Sequence, residues 1–165
     1  MLTKSCLSAL SLITLLAASC TMMPELRVFP AETGSMYFVP ATEWKSAHNA
    51  APGVWLDLTH HSGNELPPAI NITFTGKRTM PPIPGAVMLN GDGVDYPLLI
   101  HDILFADTRK RELRVATHGD RDTFIEMIAS EHIHLRMEAD GANYTYTPHS
   151  SFYYITNDLL MMILF

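Results

Sequence analysis

The sequence predicts a mostly β protein, an antiparallel β-sandwich or a small barrel-like domain with one short α-helix. Three observations lead to this prediction. Apolar and polar residues alternate with a period of two in several segments, turn residues separate those segments, and a helix-start pattern occurs once. A chain of 165 residues has room for one domain, which we expect to span residues 36–165.

The clearest strands lie in the middle of the chain. Val54, Leu56 and Leu58 alternate with polar or amphipathic neighbours, and the segment 70–75 shows the same alternation. This period is typical of strands that bury one face and expose the other. Further strands are predicted at 36–39, 86–89, 96–105, 113–117, 133–137, 144–147 and 152–156.

Turn residues between these segments predict two hairpins. One turn is expected within 90–93 (NGDG) and the other at Asp140-Gly141. Glycine and Asx residues accept the positive φ that tight hairpin turns require. The prolines at 67–68 and at 81, 82 and 84 are interpreted as connectors, because proline cannot donate a hydrogen bond to a central ladder.

One short helix is predicted at about 122–130. Thr123 and Glu126 have the spacing of a capping box, and Asp120 and Asp122 suit the positive end of a helix dipole. Apolar residues such as Phe124 would cover one end of the sheet. We therefore expect this helix to pack against the strands.

The last segment, 159–165 (LLMMILF), is an almost continuous apolar run. Such a run is typical of a central strand buried on both faces, and we predict a strand here. Docking of the segment on a partner is the alternative.

The first residues have the pattern of an export signal. Lys4 adds positive charge to the amino terminus, and residues 7–16 (LSALSLITLL) follow as an uncharged apolar run. A membrane-spanning helix needs about 20 apolar residues, so this run has the length of a signal-peptide core instead. The two cysteines are Cys6 and Cys20, so the chain after residue 20 has no thiol for an internal disulfide.

Leu16, Ala17, Ala18, Ser19 and Cys20 resemble the lipobox of bacterial lipoproteins. The resemblance implies that residues 1–19 are a signal peptide and that Cys20 carries a diacylglycerol on its thiol and a third acyl chain on its amine. Two or three such chains hold a protein on a membrane essentially permanently. The large aliphatic residue stands four places before the cysteine, where the commonest lipobox has it three before. Cleavage after Ala-x-Ser by the general signal peptidase is therefore the alternative.

Residues 20–35 are expected to form the lipidated cysteine and a tether, because Pro24, Pro30 and Gly34 interrupt regular structure. Thr21 follows Cys20, where many enteric lipoproteins retained in the inner membrane have aspartate. The resemblance therefore implies an outer-membrane location, with the domain facing the periplasm or the cell surface.

The charge of the mature chain disfavours nucleic acid as a partner. Removal of residues 1–19 takes away one charged side chain, Lys4, so the formal net charge goes from −6 to −7. A field of this sign repels phosphate backbones and anionic headgroups. Membrane attachment is therefore expected through the lipid anchor and not through basic residues.

Histidine pairs are the candidate metal ligands. His132 and His134 flank Ile133 on a predicted strand, so both rings would project from one face, close enough to share a Zn²⁺ or Cu²⁺ ion. His60 and His61 are adjacent, and both could bind one ion only from a turn. The alternative is that all four are polar positions without metal, since two ligands make a weak site.

No catalytic motif is present, so a non-enzymatic role is expected. The preferred hypothesis is an envelope module without cofactor, whose loops, edges and aromatic residues bind another envelope protein or a glycan. The tyrosines considered for this role are Tyr144, Tyr146, Tyr153 and Tyr154. A metal-binding lipoprotein and a hydrolase of envelope polymers are the two alternatives.

Overall fold

The computed structural model describes residues 24–63 and 67–165 of the chain. Within them, ten antiparallel strands form one sheet that curls into a half-barrel, and two helices accompany it. The predicted mostly β, antiparallel class is confirmed. The strands are β1 (Arg27–Pro30), β2 (Ser35–Ser46), β3 (Gly53–Ser62), β4 (Ala69–Thr75), β5 (Ala86–Gly91), β6 (Val94–Leu98), β7 (Ile100–Asp107), β8 (Glu112–His118), β9 (Ile133–Ala139) and β10 (Ala142–Pro148), and the helices are α1 (Arg121–Ala129) and α2 (Ser150–Leu164).

The strand order explains why the sheet curls. The order is β6-β5-β9-β10-β2-β3-β4-β8-β7, and β1 pairs with the first part of β2. The two edge strands, β6 and β7, are consecutive in the chain and are joined by Leu99 alone. One residue therefore links opposite edges of the sheet, which brings those edges together at this corner. Pro97 lies in β6, an edge strand, where its missing N–H interrupts no central ladder.

Both predicted hairpins are confirmed. Asp92 and Gly93 have φ values of 49° and 86°, and Asp140 and Gly141 have φ values of 52° and 72°. Two consecutive positive φ angles are characteristic of the type I′ turn, whose twist matches that of the strands it joins.

The core lies on one face of the sheet, against the two helices. Val54, Phe74 and Leu113 are aligned across β3, β4 and β8, and all three are at most 2% exposed. Leu56 and Val115 belong to the next layer and are fully buried. The period-two alternation in the sequence therefore correctly indicates which face of these strands is buried.

The opposite face of the same strands carries a buried ion pair. The Asp57 carboxylate is 2.6 Å from an Nη atom of Arg114, and Asn71 donates a hydrogen bond of 2.8 Å to Asp57. Arg114 also donates to the Thr73 hydroxyl at 2.9 Å. Asp57 is 1% exposed, so its charge depends on these partners.

The short helix is confirmed, but the predicted capping box is wrong. The residue that caps α1 is Asp120, whose carboxylate accepts a hydrogen bond of 2.9 Å from the backbone N–H of Thr123. Phe124, Met127 and Ile128 form its buried side. Asp120 therefore takes the capping role that the spacing assigned to Thr123. The helix begins earlier than a cap at Thr123 would allow.

The strands predicted at 152–156 and 159–165 are wrong, because both segments belong to α2. The buried residues of this helix, Phe152, Ile155, Thr156 and Leu159, recur with helical spacing, and Phe152 packs edge-on against Trp44 with ring centroids 5.0 Å apart. An apolar run of this length does not distinguish strand from helix by periodicity. The segment 160–165 is not doubly buried either, since Met161, Met162, Leu164 and Phe165 are each more than half exposed.

Part of the segment predicted to be an irregular tether is a strand. Residues 27–30 lie within the segment 20–35 but form β1, which pairs with β2 between Arg27 and Phe38 at one end and Pro30 and Ser35 at the other. Residues 1–23, including the signal peptide and Cys20, lie outside the described residues.

Candidate functional site

The first predicted histidine pair does not lie entirely on a strand. His132 is exposed in the bend before β9, and His134 is half-buried within β9. The carboxylate of Asp92 accepts hydrogen bonds from the backbone N–H groups of Glu131 and His132, at 3.0 and 2.9 Å, and holds this bend in place. These hydrogen bonds lower the pKa of Asp92. The bend therefore has a structural cause that requires no metal.

His60 and His61 point to opposite faces of the sheet. The His60 ring lies in the core between Tyr37 and Phe124, with centroids 6.2 and 5.9 Å away. His61 follows it in β3, and side chains alternate along a strand. The two rings therefore do not converge on one ion. Within residues 24–63 and 67–165, no group of three or more His, Cys, Asp or Glu residues is arranged to hold a metal.

A histidine pair that the sequence did not suggest lies where β7 and β8 pair. The rings of His101 and His118 have centroids 5.4 Å apart, although 17 positions separate the residues. They meet because β7 and β8 pair there, with Ile100 opposite Thr117. Both residues are exposed. The pairing of β7 with β8 brings them together, and the sequence pattern alone did not indicate that pairing.

His60 is expected to make the fold sensitive to acid. It is 2% exposed, and burial, the nearby Arg121 charge and His61 lower its pKa below the usual value. The folded state therefore favours the neutral ring. The contribution of the neutral ring to the free energy of unfolding is fully present above the unfolded-state pKa of about 6.5. It is lost as the pH falls from there toward the lower pKa of His60 in the folded state.

The measurement is the free energy of unfolding in urea between pH 7.5 and pH 5. The His60→Phe variant keeps a ring between Tyr37 and Phe124 and cannot protonate. Below pH 6.5 the unmodified protein should lose up to about 1.4 kcal/mol per pH unit more than this variant. Parallel pH curves for the two proteins would contradict the role of His60.

A groove lies where the β9–β10 hairpin, the turn between β2 and β3 and the loop after β4 meet. Its volume is about 480 Å³, within the range of small-molecule sites. It is lined by Asn49, Ala50, Pro52, Gly76, Lys77, Arg78, Thr79, Met80, Pro81, Pro82, Ala139, Asp140 and Tyr144. Three segments distant in the sequence therefore build it.

The loop after β4 is held by the turn between β7 and β8. The Gly76 N–H donates to the Arg111 carbonyl at 2.8 Å, and the Arg111 guanidinium donates to the Lys77 carbonyl at 2.8 Å. On the other side, the Lys77 ammonium donates to the Asn49 carbonyl. A Cβ atom on Gly76 would lie 1.7 Å from the Thr79 carbonyl oxygen, so the turn accepts only glycine. These hydrogen bonds connect the loop to the turn between β7 and β8 on one side and to the turn between β2 and β3 on the other.

The four candidate tyrosines have different environments. Tyr144 lines the groove, and the His48 ring contacts it edge-on at 5.4 Å. Tyr146 is 1% exposed, so its predicted role in binding is wrong, and burial raises its pKa. Tyr153 accepts a hydrogen bond of 3.3 Å from the Ile133 N–H, and Tyr154 is 67% exposed. Of the four, Tyr144 is the one that lines this groove.

The groove lining carries charged side chains. They are the carboxylate Asp140 and the cations Lys77 and Arg78. Asp140 occupies a type I′ turn position in the β9–β10 hairpin. Such groups can form charged hydrogen bonds to a ligand of complementary charge.

The described helices include none that is long and apolar enough to span a bilayer. Comparison with models of protein families, with curated proteins and with solved structures finds no match for this chain.

Proposed function

We propose that the chain is a lipid-anchored protein of the bacterial cell envelope that binds an envelope protein or a glycan without catalysis. The groove beside Tyr144 carries this proposal, because its lining combines an aromatic ring, apolar side chains and cations in a loop held by hydrogen bonds. Segments that hydrogen bonds already hold in place lose less conformational entropy on binding. The lipobox resemblance at Cys20 supports the compartment, with the outer membrane favoured.

A metal-binding role at His132 and His134 has less support. The bend that presents His132 is explained by Asp92, and the described residues contain no group of three ligands. A two-ligand site would bind Zn²⁺ or Cu²⁺ weakly.

The lipid anchor is tested by metabolic labelling with radioactive palmitate. The unmodified chain should incorporate label and the Cys20→Ala variant should not. Cys6→Ala is the matched control, because Cys6 belongs to the predicted leader and its loss should leave labelling unchanged. Label that persists in Cys20→Ala would refute acylation at this position.

The groove is tested by photo-crosslinking in cells. A photoreactive amino acid at Thr79, in the groove, should give one adduct of defined mass, whereas the same amino acid at Val94, which is 53% exposed on β6, should not. Identical adduct patterns from both positions, or none from Thr79, would contradict binding in this groove.

A further inference from the structure

We infer that the groove beside Tyr144 binds a short acidic oligosaccharide, one whose sugar rings carry carboxylate or phosphate groups. The inference rests on the proposed binding function and names the ligand of the same groove. Charge complementarity, the hydrogen bonds that hold the loop after β4 and the apolar rings in the lining support it.

Part of the groove lining is cationic. Lys77 and Arg78 come from the loop after β4, and Arg111 adjoins them through its hydrogen bond to the Lys77 carbonyl. The lining includes one opposing charge among the described residues, Asp140. A local excess of positive charge therefore exists in a chain whose formal net charge is −6. Ion-assisted hydrogen bonds from such cations are stronger than those between neutral groups.

The overall charge limits the length of the ligand. The formal net charge of −6 repels a long polyanion, whose charge extends beyond the cations of the groove. A short acidic ligand keeps its charge beside Lys77 and Arg78. The same argument disfavours nucleic acid as the occupant of this site.

Another part of the lining is apolar. Met80, Pro81, Pro82 and Tyr144 belong to it, and the His48 ring lies edge-on to the Tyr144 ring, with centroids 5.4 Å apart. Rigid rings match the C–H faces of a sugar and lose little conformational entropy on binding. A peptide would instead be expected to need separate pockets for alternate side chains. The observations therefore favour a sugar over an acidic peptide.

The test is calorimetric titration of the full, lipidated protein with oligogalacturonate, with its fully methyl-esterified form, and with oligoglutamate of equal charge. The ester has the same sugar rings without the charge. We expect the acid to bind about tenfold more tightly than the ester, in line with one or two charged hydrogen bonds. Oligoglutamate should bind more weakly than oligogalacturonate. Equal binding of acid and ester, tighter binding of oligoglutamate, or no binding of the acid would each overturn the inference.

Three variants connect the binding to the groove. Arg78→Gln should remove most of the preference for acid over ester, whereas Arg109→Gln, an exposed cation in the turn between β7 and β8, should leave it unchanged. Tyr144→Ala should weaken acid and ester alike. A preference that survives Arg78→Gln would place the site elsewhere and overturn the inference.

The crosslinking experiment separates this inference from the proposed function. If Thr79 still captures one partner in cells while oligogalacturonate does not bind, the groove is a binding site but its ligand is not an acidic sugar. If neither result is obtained, both proposals fail.

Discussion

Replacing Trp44 by alanine should lower the free energy of unfolding by about 3–5 kcal/mol, the usual cost of removing a large buried aromatic side chain. Trp44 is 2% exposed and packs against Phe152, so its loss opens a cavity between β2 and α2. The sequence pattern predicted strands where α2 lies, so this variant also tests how the helix packs against the sheet. Chemical denaturation followed by circular dichroism measures the change.

Trp55→Ala is the matched control for this experiment. Trp55 lies in β3, next to the buried Val54, and side chains alternate along a strand, so it faces away from the core. It is half-buried, and its removal should destabilise the protein much less. Equal losses for the two variants would contradict the packing of α2 on Trp44.

The second large effect is expected at the Asp57–Arg114 ion pair. Replacing Asp57 by alanine should lower the free energy of unfolding by about 2–4 kcal/mol, because the guanidinium loses its charged partner in a largely buried site. We expect a smaller loss of stability than for a fully buried pair, because the Arg114 side chain is 23% exposed and keeps its hydrogen bond to Thr73.

A second aspartate–arginine pair provides the control. Asp95 and Arg136 also form a salt bridge, but their side chains are 45% and 49% exposed. Exposed pairs contribute little because water and salt screen them. Asp95→Ala should therefore shift the thermal midpoint much less than Asp57→Ala. If the shifts were equal, burial would not be the source of the effect.

The two type I′ hairpins were predictable because their cause is local. Each turn consists of an Asx residue followed by glycine, and both residues adopt the positive φ that they tolerate better than others. The strands of the central sheet were predictable for a similar reason. Val54, Leu56 and Leu58 already show in sequence which face is buried.

Helix α2 was not predictable from the same kind of pattern. The run after Asp158 is apolar at every position, so it has neither the alternation of a half-buried strand nor a polar helix face. The helical signal was present earlier, where Phe152, Ile155 and Leu159 recur at intervals of three and four residues. Docking of that side against Trp44 decided between the two structures.

The candidate site was less predictable than the fold. Tyr144 was identified as a candidate, but Tyr146, two residues later on the same face of β10, is buried in the core. Lys77 and Arg78 showed no motif. They acquire a role because the Arg111 turn, more than thirty residues away, holds their loop beside the β9–β10 hairpin.

By itself, the amino-acid sequence determined the class of this protein, its hairpins and most of its strands, because each depends on residues close together in the chain. The tertiary structure alone decided that α2 is a helix, that His60 and His61 face apart, and that a groove forms beside Tyr144. These features depend on which distant segments of the chain pack together. Strand pairing and the burial of apolar side chains determine that packing.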